Sequence, residues 1–296
     1  MANLLIARGG VALWLGTALL LAAPPAGLAQ EGPTVVFPRT NPSATITQRI
    51  GVTDVTVKYN RPSVKGRAVF GALVPYGRVW RTGSDEATTI TVDTAFTLNG
   101  QPVAAGTYAL FTIPGPEAWT VILDRTAAQW GSYSHRDADE VLRVSATPMR
   151  LDRPVESLTM GFDDVTAGAA VLHVTWERTR VPVTIGVDVV GLAVPRIEAA
   201  MRGTDRKPYF LAAMFYFENG LDLDKAAAWI AAALAESPGH VGMLYRQALI
   251  LEKKGDLDGA RTAARQSLAG AATAADELKA EYTRLNATLL ARLDRR

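Results

Sequence analysis

The feature that most constrains this chain is a change of hydrophobic period near Leu192. Before it, apolar and polar residues alternate; after it, apolar residues recur every three or four positions. The two patterns fit different architectures, so the chain reads as a β domain followed by an α domain. Period-two runs rich in β-branched residues fall at 44–50, 53–59, 88–94, 107–113, 119–124, 141–147, 155–162, 170–177 and 181–189. Asn99-Gly100 between apolar runs predicts a two-residue hairpin turn, because both central residues of such a turn take positive φ. Short strands with frequent turn signals predict an antiparallel β-sandwich or jelly-roll-like domain over residues 44–190.

Residues 191–207 read as a linker or short helix, with Pro195 placed as a first-turn proline. From 208 to 296 the periodicity predicts helices at 208–219, 223–236, 240–254, 257–269 and 275–293. Leu223-Asp224-Lys225-Ala226 recurs as Leu257-Asp258-Gly259-Ala260, and Asp222 corresponds to Asp256 at the same 34-residue shift. That is the tetratricopeptide period, so this segment is expected to be a tetratricopeptide-like helical domain that binds a protein or peptide partner. Two repeats expose their flanks, and the tail is expected to pack on the β domain or on a second copy.

The first 29 residues read as a signal peptide. Arg8 precedes a weakly polar-to-apolar run over 11–23, and Gly27-Leu28-Ala29 offers small residues for cleavage. The expected location is exported, either periplasmic or extracellular, and residues 30–43 read as a flexible lead-in. No later segment is apolar enough to span a membrane. Cysteine is absent, which excludes disulfides, thiolate metal sites and cysteine nucleophiles. The formal charge is only +2, so no global field selects nucleic acid.

The positive charge that matters is local. Lys58, Arg61, Lys65, Arg67, Arg78 and Arg81 lie in a segment with no acid before Asp85. Aromatic residues and glycines interrupt it, so it reads as an ordered loop system displaying side chains. Arg61, Arg67, Arg78 and Arg81 are candidates for a guanidinium cluster that grips a carboxylate or phosphate. Trp80, Glu86, Trp130 and Tyr133 complete the candidate ligand-binding set for a small anionic or sugar-like ligand. The structural alternative pairs Arg81 with Glu86 or Asp85. Glu86 and His135 are the candidates for acid or base work if the chain is an envelope hydrolase. A third reading is a scaffold in which only the helices interact. No metal motif and no cofactor fingerprint is present, and the expected cofactor is none.

The run from Tyr59 to Ile90 resembles the domain of unknown function 2911, a family of exported bacterial proteins. So do Pro102–Tyr108, Leu110–Pro114, Trp119–Leu123, Trp130–Tyr133 and Asp139–Val144. The resemblance implies export and a β domain, and it implies no activity or catalytic residue. Ser84-Asp85-Glu86 stands where Ala-Asn is expected before the glutamate, which places an extra carboxylate beside the loop.

Overall fold

The structure is a computed structural model that describes residues 38–295. The expected signal peptide, and the lead-in as far as residue 37, lie outside the described residues.

Two antiparallel sheets come first. One has six strands: β1 (Ser43–Ile50), β2 (Thr53–Asn60), β3 (Thr89–Val92), β6 (Gly106–Ile113), β7 (Trp119–Asp124) and β8 (Glu140–Ala146), in the order β1-β2-β3-β6-β7-β8. The other has four: β4 (Phe96–Leu98), β5 (Gln101–Val103), β9 (Met149–Asp163) and β10 (Ala169–Gly186), in the order β5-β4-β10-β9. The inner faces alternate as a sandwich requires. Val55, Val57, Ile90, Leu110, Val121 and Leu123 from the first sheet meet Leu98, Leu158, Leu172, Val183 and Ile185 from the second in one core. Tyr59 ties the sheets together, because its hydroxyl accepts from the Met160 N–H at 3.0 Å. Asn99 (φ 45°) and Gly100 (φ 80°) form the predicted hairpin turn between β4 and β5.

The segment between β2 and β3 spans one end of the sandwich. Its first half pairs with β9: Leu158 N–H donates to Pro62 O, and Val64 N–H to Glu156 O. Its second half pairs with β6 through reciprocal bonds between Trp80 and Thr112. Trp80 therefore faces the sandwich core. It stacks on Trp176 at 5.9 Å, and edge contacts to Phe70 and Trp119 complete an aromatic cluster. Its neighbour Val79 faces the opposite side. There it joins Ala87, Ala109, Phe111 and Ile122 in a second small core on the outer face of the six-stranded sheet.

Six helices follow: α1 (Val189–Arg202), α2 (Tyr209–Glu218), α3 (Leu223–Glu236), α4 (Val241–Lys254), α5 (Leu257–Ala271) and α6 (Asp276–Leu293). α1 begins three residues after β10 and covers most of the expected linker, with Pro195 in its interior. Each helix from α2 onward packs on its sequence neighbour. Asp222 caps α3 and Asp256 caps α5, so the 34-residue shift marks equivalent N-caps; Ala226 and Ala260 are equivalent buried positions. The β domain and the helices belong to one compact unit, and Val189 of α1 stands against Gly51 in the turn between β1 and β2. The extensive contacts between elements are strand on strand and helix on helix, and the sandwich core shares no residue with the helical cores. No described helix is long and apolar enough to cross a membrane.

Candidate functional site

The loop over 81–88 is built on unusual backbone. Thr82 (φ 55°) is β-branched, buried, and in the left-handed region. Its conformation is held from several sides: its hydroxyl lies 3.1 Å from Thr112 Oγ1, and its carbonyl accepts from the Thr88 hydroxyl at 2.8 Å. Gly83 follows because a Cβ there would press on the Asn60 carbonyl at 3.1 Å. Gly83 O accepts from Trp80 Nε1, while the N–H groups of Gly83 and Ser84 take no acceptor among the described residues. Asp85 (φ 59°) re-aims the chain so that Glu86 meets Trp130. The aromatic loop after β7 is joined here: Ala87 N–H donates to Gln129 O, and Gly131 N–H to Asp85 O. The basic loop and the loop that carries Trp130, Tyr133 and His135 thus meet at one end of the sandwich.

They enclose a cleft of about 330 Å³. Arg67, Arg78 and Arg81 line it with the hydroxyl-bearing Ser84 and Ser132, and Trp80 contributes to its wall. No carboxylate lines it. The three guanidinium groups differ in commitment. Arg67 donates to Val64 O and Ser63 O, which fixes its head. Arg78 is exposed and makes no ion pair or hydrogen bond among the described residues. Arg81 is part-buried, and its Nε is buried with no acceptor. A buried donor without a partner is costly, and a native fold normally supplies one.

Arg61 is not part of this cluster. Its Nε donates to Leu158 O at 2.9 Å and its Nη2 to Thr159 Oγ1 at 2.8 Å, so the guanidinium stitches the loop to β9. The expected Arg81 pairing with Glu86 or Asp85 is also replaced. Glu86 instead accepts two bonds from Arg39, at 2.9 and 3.0 Å, and a third from Asn60 Nδ2 at 2.9 Å. These donors, Arg39 first, hold the Glu86 carboxyl below the usual carboxylate range. Asp85 is held by Asn41 Nδ2 at 3.2 Å and by the Ser84 hydroxyl at 3.3 Å. The described end of the lead-in is therefore an anchored strap, not a free arm: Arg39 and Asn41 each take one of two adjacent carboxylates. Sequence reasoning missed both, because the partners lie 47 and 44 residues away.

Glu86 and Trp130 line a separate, wider hollow of about 620 Å³ with Arg39 and Lys58. It is larger than the arginine cleft but chemically less pointed, because its Arg39 is already neutralised by Glu86. Trp130 is 60% exposed and Tyr133 83% exposed, so both rings stand open to solvent. Trp80 is only 8% exposed and serves the core as well as the cleft. His135 lines neither hollow. Its Nε2 lies 2.8 Å from Glu140 Oε1, and its ring packs edge-on against Phe111. His135, Asp137 and Glu140 bring their ligand atoms within 4.8 Å of one another. Arg143 already bonds both carboxylates, so a divalent cation there would have to displace a guanidinium.

No curated protein and no solved structure matches the chain. Residues 41–185, just under half of the chain, match the family described as "Protein of unknown function (DUF2911)". That span runs from the strap residue Asn41 nearly to the end of β10, and takes in every residue of the arginine cleft. The β domain, though not the helical part, is thus similar to that family of proteins of unknown function.

Proposed function

We propose that this is an exported binding protein whose β domain captures a small anion in the Arg67–Arg78–Arg81 cleft. The observation that carries the reading is the uncompensated charge. Three arginines share one concavity with no acidic wall, and Arg81 Nε has no acceptor. Guanidinium is the side chain suited to oxyanions, because its fork presents paired donors to paired oxygens. The ionised state of Glu86 favours binding over acid catalysis, since a general acid must hold a proton near the working pH. The helices form the second interacting part of this reading. Their paired, tetratricopeptide-like packing suits a protein or peptide partner.

The test is thermal unfolding of the protein with phosphate, sulfate and simple carboxylates. A ligand that binds only the folded state raises apparent stability, by about 2.7 kcal/mol at a hundred times its Kd. At least one oxyanion should raise Tm, Arg81→Gln should abolish the rise, and Arg81→Lys should restore little of it. Because Arg81 makes no ion pair, the ligand-free Tm of Arg81→Gln should stay close to that of the parent. A panel in which no anion shifts Tm, or in which Arg81→Gln responds like the parent, removes the reading.

A further inference from the structure

The arginine cleft has an apolar side that simple anion capture does not use. Leu73, Val74 and Pro75 line it together with Pro62 and Val79. Leu73 is 44% exposed, a large aliphatic side chain left open beside three cations. Its backbone is not loose, because Leu73 N–H donates to Ala68 O and Val74 N–H to Val69 O. The lip is thus a fixed part of the loop.

The polar side has more donors than a carboxylate can use. It holds the guanidinium groups of Arg67, Arg78 and Arg81, of which Arg78 and the Arg81 Nε have no acceptor among the described residues. A carboxylate offers two oxygens, whereas a phosphoryl group offers three and carries nearly two negative charges. The Ser132 hydroxyl is directed to Val79 O and that of Ser84 to Asp85, so both also have acceptor capacity for a protonated phosphate oxygen. Asp85 stands behind Ser84, and its charge is shared with Asn41 rather than presented to the cleft.

We propose that the cleft recognises phosphate monoesters carrying a small apolar or aromatic body. The phosphoryl group sits on Arg78 and Arg81, and the body lies against Leu73 and Pro75. This rests on the anion-binding reading above and adds to it the class of ligand. The volume of about 330 Å³ suits a single ring with its head group, at the small end of ligand pockets.

Calorimetric titration of the full chain with inorganic phosphate, phenyl phosphate and benzoate tests it. Phenyl phosphate should bind about tenfold more tightly than inorganic phosphate, the increment expected for partial burial of one ring. Benzoate should bind more weakly than phenyl phosphate. Arg78→Gln and Arg81→Gln should each weaken phenyl phosphate by about tenfold or more. Arg78 is exposed and unpaired, so that variant keeps its fold, and its far-ultraviolet circular dichroism verifies this. Phenyl phosphate binding no tighter than inorganic phosphate would overturn the ligand class while leaving anion capture standing. Benzoate binding more tightly than phenyl phosphate would overturn the phosphoryl assignment. If no compound binds, or if both arginine variants bind phenyl phosphate as the parent does, anion capture at this site fails with it.

Discussion

At the scale of single residues, the charged side chains divide by how they are compensated. Arg61 and Arg67 satisfy backbone carbonyls and act as stitches; Arg39 neutralises Glu86; Arg78 and Arg81 are left over. The residue types and their clustering were legible in the sequence, and so was the strand over 119–124 that Trp119, fully buried, begins. The partners were not legible, because each bond depends on a register between segments far apart in the chain. His173 shows the same limit. Within the run 170–177, alternation sets Leu172, Val174 and Trp176 on one face and His173 on the other, which by pattern alone is the exposed one. The structure instead lays its ring over Gly161 on the neighbouring strand, whose missing side chain makes the room. Burial there pushes the His173 imidazole below its ordinary value. The unfolded group titrates near pH 6.5, so it protonates first in the unfolded state. Its stabilising contribution is complete above that pH and declines as pH falls toward the lower folded value. A nuclear magnetic resonance titration should therefore place the His173 midpoint below about 6.5. A midpoint at or above that value would show that the ring is solvated or captured by Asp163, which lies 3.4 Å away.

At the scale of elements, strands and helices were more legible than their lengths. The run at 119–124 coincides with β7, and the 223–236 helix coincides with α3. β4 and β5 are three residues each, too short for alternation to register, although their turn was readable. β9 and β10 were read as shorter pieces because bulges interrupt them. Register shifts at Thr175, Glu177 and Thr179, with Glu177 at φ 53°, break the period-two pattern without ending the strand. The matching aspartate caps were visible because capping is local chemistry: an aspartate accepts from the first-turn N–H groups whatever lies further away. Asp222→Ala and Asp256→Ala should each destabilise the helical part by about 1 kcal/mol. Their effects should add when combined, because the caps stand on separate helices and share no partner. Urea unfolding followed by helical circular dichroism measures this. A negligible effect at one position and a normal one at the other would mean that the shift does not mark equivalent sites.

At the scale of the molecule, two kinds of core stand side by side along one chain. The sandwich buries its two inner faces against each other, and the helices bury theirs against their sequence neighbours. Unfolding should therefore proceed as two transitions in scanning calorimetry, one for the sheets and one for the helices. Phosphate should move only the transition of the sheets, and the capping variants only that of the helices. One cooperative transition shifted equally by both would show that the parts are energetically fused. The division into β and α parts was readable from the change of period, but the separateness of their cores was not, since apolar residues look alike whichever surface they meet. The link between the parts is β10, which pairs with β9 along most of its length, with β4 at its end, and leads within three residues into α1. Ladder hydrogen bonds lie across a strand, so a tug on the helices is delivered along β10 and loads those bonds in shear, many at once. Traction applied by anything that grips the helical end would thus be borne by the longest strand of the sandwich, and the arginine cleft, suspended between β9 and β6, would sit close to the line of force.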